Sequence, residues 1–289
     1  MRAPLLTLAL LAACGIEHRA PAPAQPPPPP SPNQAQLVFP DEAEIPEGPE
    51  GASIRRGRAL VANVRDSLPG QTKSALNCTS CHLDEGTRAW AAPWVGVYGR
   101  FPQYRTRNDR VNILEDRIND CFERSLNGRA LPTSGRDIRD IVSYMAWLSL
   151  RVPAGVTMAG QGFAKLKTTA GDTVAGRELF TGICSRCHGS DGDGTTIAPP
   201  LWGERSYNVG AGMGRLRTAS AFIKFNMPYD NPGSLTEQQA TDVAAYVNSR
   251  PRPDFAGKEK DWPNGDHPPD VPYVTRASRE KPNRGGTPK

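Results

Sequence analysis

Two short segments of this 289-residue chain carry residues spaced for chemistry. They are Cys78-Thr79-Ser80-Cys81-His82 and Cys184-Ser185-Arg186-Cys187-His188. Each sets two thiols about one helical turn apart, with an imidazole on the next residue. Thiols so placed can add across the two vinyl groups of a porphyrin while the imidazole ligates its iron, which is the attachment pattern of c-type haem. A thiol pair alone also fits a redox dithiol or a zinc knuckle. The histidine that directly follows both pairs points instead to two covalently bound haem c groups, with His82 and His188 as iron ligands.

The segments around the second motif predict a small cytochrome c unit. Gly176-Arg177-Glu178-Leu179-Phe180 opens an amphipathic helix leading into the thiols. Leu235-Thr236-Glu237-Gln238 has the character of a helix start, and Val243, Tyr246 and Val247 give the i, i+3, i+4 stripe of a closing helix. Between them, Ser190-Asp191-Gly192-Asp193-Gly194 lacks the third acidic ligand and closing glutamate of a calcium loop. Gly210-Ala211-Gly212-Met213-Gly214 follows no strand, so it does not suit a dinucleotide. A cytochrome c iron usually takes a methionine sulfur just before the closing helix. Met227, 39 residues after His188, occupies that place, with Met213 as the alternative.

The same interval from His82 ends on Cys121. The helix that follows also matches, with Ile141, Tyr144 and Met145 answering Val243, Tyr246 and Val247. The cysteine count agrees: of six, four belong to the haem motifs and Cys14, at the N-terminus, is expected to be removed or lipidated, so Cys121 has no disulfide partner. An odd cysteine in an exported chain is a reactive thiol, an intermolecular partner or a metal ligand; its register with Met227 favours ligation of the first iron. An anionic thiolate stabilises ferric iron and lowers the potential, whereas a thioether raises it. The two sites should therefore differ, as a catalytic haem feeding a relay haem would. Residues 100–129 surround Cys121 with Arg100, Arg105, Arg107, Arg110, Arg117, Arg124 and Arg129 and no lysine. Guanidinium groups present planar forks that grip oxyanions and stay charged. A helix over Glu115–Leu126 would set Arg117, Cys121, Arg124 and Ser125 on or near one face.

With these residues in place the chain resembles the dihaem thiosulfate dehydrogenases, which form tetrathionate. The likeness rests on NCTSCHLDEGTRAWAAPWVGVYGRFPQYRTR, LEDRINDCFERSLNGR, PPLWGERSYNVGAGMGR, FIKFNMP and the tail around Arg252–Lys258 and Asp261-Trp262-Pro263, and it spans about residues 51–275. It implies that two thiosulfate ions join through their outer sulfurs while two electrons leave through the haems, and that some members run the reverse. It implies His/Cys ligation of the first haem, with Cys121 as that ligand and with Arg107, Arg117 and Ser125 as substrate-site residues. It places the second haem's ligand on Met227. Members with lysine before that methionine can exchange ligands; here the neighbour is Asn226, so plain His/Met ligation is expected. The readings set against this are a non-enzymatic electron-transfer dihaem cytochrome, a cytochrome that conjugates thiosulfate to a carrier protein, and a haem peroxidase.

The ends of the chain differ from its middle. Of 29 prolines, 12 fall in residues 1–49 and 8 in residues 251–289. Residues 1–13 have the layout of an export signal, and Leu11-Ala12-Ala13-Cys14 resembles a lipoprotein box that would anchor the protein to a membrane through Cys14. Ordinary cleavage near the Ala-Pro-Ala run is the alternative. Either implies export, to the periplasmic side. Mean hydropathy is −0.53 and net charge +5 from intermixed charges, which fits neither a multispanning membrane protein nor nucleic-acid binding. The expected architecture is all-α: a signal (1–13), a Pro-rich tether (14–50), a first cytochrome c unit (51–153), a linker (154–171), a second unit (172–250) and a tail (251–289) that wraps the surface. Thiosulfate or tetrathionate and a small redox protein accepting electrons are the expected partners.

Overall fold

The computed structural model describes residues 37–167 and 170–280. The signal, Cys14 and most of the proline tether lie outside the described residues. In chain order the helices are α1 (Gly48–Ala62), α2 (Val64–Ser67), α3 (Leu83–Gly86), α4 (Leu114–Arg124), α5 (Arg136–Leu148), α6 (Thr173–Leu179), α7 (Ser185–His188), α8 (Leu216–Asn226), α9 (Glu237–Ser249) and α10 (Arg276–Glu280). The one sheet among the described residues is a ribbon of β1 (Gln103–Arg105) and β2 (Arg110–Asn112), antiparallel with Tyr104 opposite Val111. The fold is thus all-α as expected, apart from this ribbon. No described helix is long and apolar enough to cross a membrane.

Two helix pairs, α1 with α5 and α6 with α9, repeat one design. Each crosses at a glycine that no other residue can replace without displacement. A Cβ on Gly57 would stand 1.9 Å from the carbonyl oxygen of Asp140 and 3.0 Å from Cβ of Tyr144. On Gly176 it would stand 2.0 Å from the carbonyl oxygen of Asp242 and 3.0 Å from Cβ of Tyr246. The missing side chain lets the backbones touch, and the partner tyrosines turn their rings inward. Tyr144 meets Trp94 edge to face at 6.2 Å, and Tyr246 meets Trp202 edge to face at 5.8 Å.

The helix boundaries follow local chemistry. Asp172 caps α6 through the amides of Val174 and Ala175. Thr236 and Gln239 close a capping box on α9. Helix α4 runs Leu114–Arg124 and leaves Ser125 as its C-cap, slightly shorter than the sequence suggested. Its apolar residues Leu114, Ile118 and Phe122 recur at i, i+4 and i+8 and are buried in the first core with Ile138, Ile141 and Tyr144. A smaller core of Phe180, Trp202, Val243 and Val247 supports the second unit.

The second unit also builds part of the first. Tyr207 and Ala211 are buried in the first core. Asn208 binds the end of α4: its amide nitrogen donates to the Arg124 carbonyl at 3.1 Å, and its side chain to the Glu123 carbonyl at 2.8 Å. The tail after α9 packs rather than hanging free, with Asp261, Trp262 and Thr275 buried.

Candidate functional site

Each CxxCH motif ends in a fixed imidazole. His82 Nδ1 lies 2.6 Å from the Ala92 carbonyl oxygen, and His188 Nδ1 lies 2.8 Å from that of Pro199. A carbonyl accepts, so Nδ1 carries the proton in both rings and Nε2 is left as the free lone pair for a metal. The loops behind the rings are also alike. The Trp94 amide donates to the Gly86 carbonyl at 2.7 Å, and the Leu201 amide to Gly192 at 2.8 Å. Gly86 and Gly192 have φ of +83° and +65°, and a Cβ on either would stand within 2.3 Å of Trp94 or Trp202. These tryptophans were not singled out in the sequence; their similar intervals after the histidines, 12 and 14 residues, were the available signal. Burial pulls the His188 imidazole down, favouring the neutral form that ligates metal.

Around the first motif lies a cavity of about 310 Å³. Cys78, Cys81, His82, Cys121 and Ser125 line it together, with Val61, Leu76, Ile118, Phe122, Ile141 and Met145 as apolar wall. Sequence positions 39 residues apart thus meet in one chamber. Cys78 and Cys81 sit on and just after a single 3₁₀ turn, Cys78–Ser80. Burial pushes the Cys78 thiol well up and that of Cys81 up to about 12, so both positions favour uncharged sulfur, which a thioether is. Cys121 differs. Burial raises it, but the Arg117 guanidinium outweighs burial and brings it down to about 6. Arg117 Nη1 donates to Cys121 Sγ at 3.0 Å, from one turn earlier on α4. Two uncharged sulfurs, an imidazole and a thiolate thereby line one cavity with an apolar wall, a donor set that suits a covalent haem with sulfur as a further ligand.

The arginines sort by partner. Arg100, Arg105 and Arg117 line the cavity, joined by Arg215 from the second unit, which the sequence reading did not select. Arg107 is set back from this lining. Its Nη1 donates to the Gly210 carbonyl at 3.0 Å and its guanidinium stacks on Trp262, 4.7 Å from the ring centre. Burial, then the Arg124 charge, pulls Arg107 down to about 10. Arg124 does not share the face of Arg117 and Cys121 as the helical spacing suggested. It turns to the tail, forming a two-point pair with Asp261 under the ring of Phe255. Tail packing overrides the helical wheel here.

The second motif is built on a π-helical segment, Phe180–Cys184, running into α7. Cys184 packs with Phe180, Trp202 and Ile223. Met227 is the C-cap of α8 and packs against Leu83, Ala91 and Phe222. Met213 packs in that cluster and also against the first core. Asn226 is buried, and its Nδ2 donates to the Trp90 carbonyl at 3.2 Å, tying α8 to the loop behind His82. Among the described residues no two cysteines are bonded. Nor do three or more His, Cys, Asp or Glu side chains among them gather to hold a bare metal ion, and the Asp191–Asp193 loop shows no such cluster.

Comparison with known proteins matches residues 69–154 to the SoxA/TsdA cytochrome c domain and residues 173–251 to cytochrome c. The chain is 47% identical over 242 residues to the thiosulfate dehydrogenase of Psychrobacter arcticus, covering 81% of this chain and 74% of that one. It is 46% identical over 230 residues to the thiosulfate dehydrogenase of Allochromatium vinosum, covering 76% and 85%. Among solved structures it is similar to the thiosulfate dehydrogenase (TsdBA) from Marichromatium purpuratum in its as-isolated form. There the TM-score is 0.74 at 37% identity, over 77% of this chain and 51% of that chain, so this chain spans about half of it. With two matched cytochrome c regions, the chain carries two covalently bound haem c groups.

Proposed function

This chain belongs to the thiosulfate dehydrogenase family, a family of oxidoreductases, and on that premise we propose that it couples two thiosulfate ions into tetrathionate. Haem held at the two CxxCH motifs would carry the two electrons on to a small redox protein. The carrying observation is the Cys121 thiolate, held by Arg117 inside the chamber that also contains Cys78, Cys81 and His82.

The chemistry needs like charges brought together. Two dianions about 4 Å apart repel by roughly 4 kcal/mol even at the dielectric of water, and by more in a drier chamber. Arginines lining the chamber offset that cost. Arg117 stabilises the Cys121 thiolate and, with Ser125, can receive a sulfonate beside it; Arg107 supports this site from behind. Bound haem supplies the sink for the two electrons released by sulfur–sulfur coupling. Cys121 holds the sulfur: its thiolate takes the outer sulfur of one thiosulfate into an S–S bond, a two-electron oxidation that leaves Cys–S–S–SO₃⁻. The outer sulfur of the second thiosulfate then attacks the sulfur bound to Sγ. Tetrathionate leaves, and Sγ departs as thiolate again. Run backwards, the same site cleaves tetrathionate. In this proposal His82 and Cys121 would hold the first iron and His188 and Met227 the second, since Asn226 has no amine to compete.

The N-terminal signal and Cys14 place the protein, in the same proposal, on the periplasmic side with a lipid anchor. The mass of the mature N-terminus tests that placement. The catalytic reading is tested with Cys121→Gly and Cys121→Met, each carrying both haems, assayed with thiosulfate and an artificial acceptor. Both should lose activity at least 100-fold, and near-normal oxidation by either would overturn the role of Cys121.

A further inference from the structure

Arg215 comes from the second unit yet lines the first unit's cavity, with Arg105 and Arg117. Its delivery is built in. Asn208 ties the loop before it to the end of α4, and the Gly212–Gly214 turn leads directly into it. Arg107, Arg124 and Arg217 each have partners within the protein, although Nε of Arg124 is buried without one. Arg124 is paired with Asp261, Arg107 rests on a carbonyl and an indole ring, and Arg217 takes both oxygens of Asp270.

Arg105, Arg117 and Arg215 lack such partners: none of them belongs to an ion pair with a carboxylate among the described residues. Arg105 donates to Gln103 Oε1 at 3.1 Å, and Arg117 to Cys121 Sγ. Nε of Arg215 is buried with no hydrogen-bond partner. Burial, then the Arg117 charge, pulls Arg105 below the usual arginine value, and burial pulls Arg215 down despite the opposing influence of the Asp270 carboxylate. Positive charge that is partly withdrawn from water and unpaired favours an anion that can accept its hydrogen bonds.

We propose that Arg215 and Arg105 form a second sulfonate subsite, so that the two halves of the chain jointly hold the anion pair. Arg117 and Ser125 hold the sulfonate of the thiosulfate that bonds to Cys121. Arg105 and Arg215 hold the sulfonate of the one that arrives. The inference rests on the thiosulfate reading above and assigns it a further positioning residue, Arg215.

The test uses the oxidised holoenzyme. Tetrathionate is titrated in without reductant by calorimetry, and thiosulfate oxidation is followed with an artificial acceptor. Arg215→Gln should weaken tetrathionate binding and raise the thiosulfate KM 10- to 100-fold, as expected for losing a charge-assisted hydrogen bond. Its kcat should change less than 3-fold and its haem spectrum not at all. Arg215→Lys should recover part of the affinity, because a single ammonium cannot fork. Arg139→Gln removes the same charge from an exposed place on α5 and should change nothing. If the unaltered enzyme binds and turns over but Arg215→Gln matches it within 2-fold, the subsite is wrong and the functional reading stands. If the unaltered enzyme neither binds tetrathionate nor oxidises thiosulfate, the functional reading itself fails. Should Arg215→Gln not assemble with haem, Arg105→Gln decides: a Kd raised at least 10-fold supports the subsite and an unchanged one overturns it.

Discussion

Arg124 and Asp261 are 137 residues apart in sequence and meet in a two-point ion pair at 2.7 and 2.8 Å. Their side chains are only 10% and 4% exposed, and Tyr273 donates a further bond to Asp261 at 2.6 Å. The pair locks the C-terminal tail onto the helix that bears Cys121. Breaking one side of such a pair leaves a buried, uncompensated charge, which costs about 3–5 kcal/mol. Asp261→Ala should lower stability by that order in denaturant unfolding of the holoprotein. Arg124→Met combined with Asp261→Leu should recover much of the loss, because an apolar pair needs no charge partner.

Arg117 acts on sulfur rather than on a carboxylate. Removing its charge in Arg117→Gln takes away the main influence holding the Cys121 thiol down to about 6. The expected result is a lower reduction potential at the first haem, since a cation beside the site favours the reduced, less positive state. Thiosulfate oxidation should fall at least 10-fold. Potentiometric titration of the two haems checks this, with the second haem unmoved as internal control.

Asp140 links acidity to stability. Burial raises its carboxyl, but bonds from Ser53 at 2.6 Å and Arg56 at 2.5 Å outweigh burial and hold it below the usual carboxylate value. A carboxyl lower in the folded than in the unfolded state contributes stability at pH above its unfolded value, about 3.9. That contribution is lost as pH falls through the folded value. Unfolding midpoints measured from pH 6 down to pH 3 should drop below about pH 4. Asp140→Asn should be less stable at pH 6 and show a shallower decline.

Gly57 and Gly176 set how closely their helices approach. Gly57→Ala drives a methyl into the Asp140 carbonyl, and Gly176→Ala does the same at Asp242. Overpacking of this kind costs about 1–3 kcal/mol. Each variant should lower the melting temperature. The Gly57→Ala change should disturb the Soret band of the first haem, and Gly176→Ala that of the second.

Much of the site was legible in the sequence because its signals are local. The thiols and histidine of each motif lie within five residues, so a short segment fixes their geometry whatever surrounds it. The interval from His82 to Cys121 was legible because the chain repeats one unit; Met227, at the same interval from His188, packs with Leu83, Ala91 and Phe222. Cys121 does line the cavity with His82. What a linear reading could not rank was the arginines. Seven of them stood near Cys121 in sequence, and a helical wheel gave Arg124 the same standing as Arg117. Tertiary structure separated them: Asp261 arrives from the tail and takes Arg124, Trp262 takes Arg107, and Arg215 enters from the other half of the chain. The physical reason is that a guanidinium charge goes wherever its nearest uncompensated partner lies. For these side chains that partner, or its absence, is set by segments roughly a hundred residues away, beyond the reach of any local pattern.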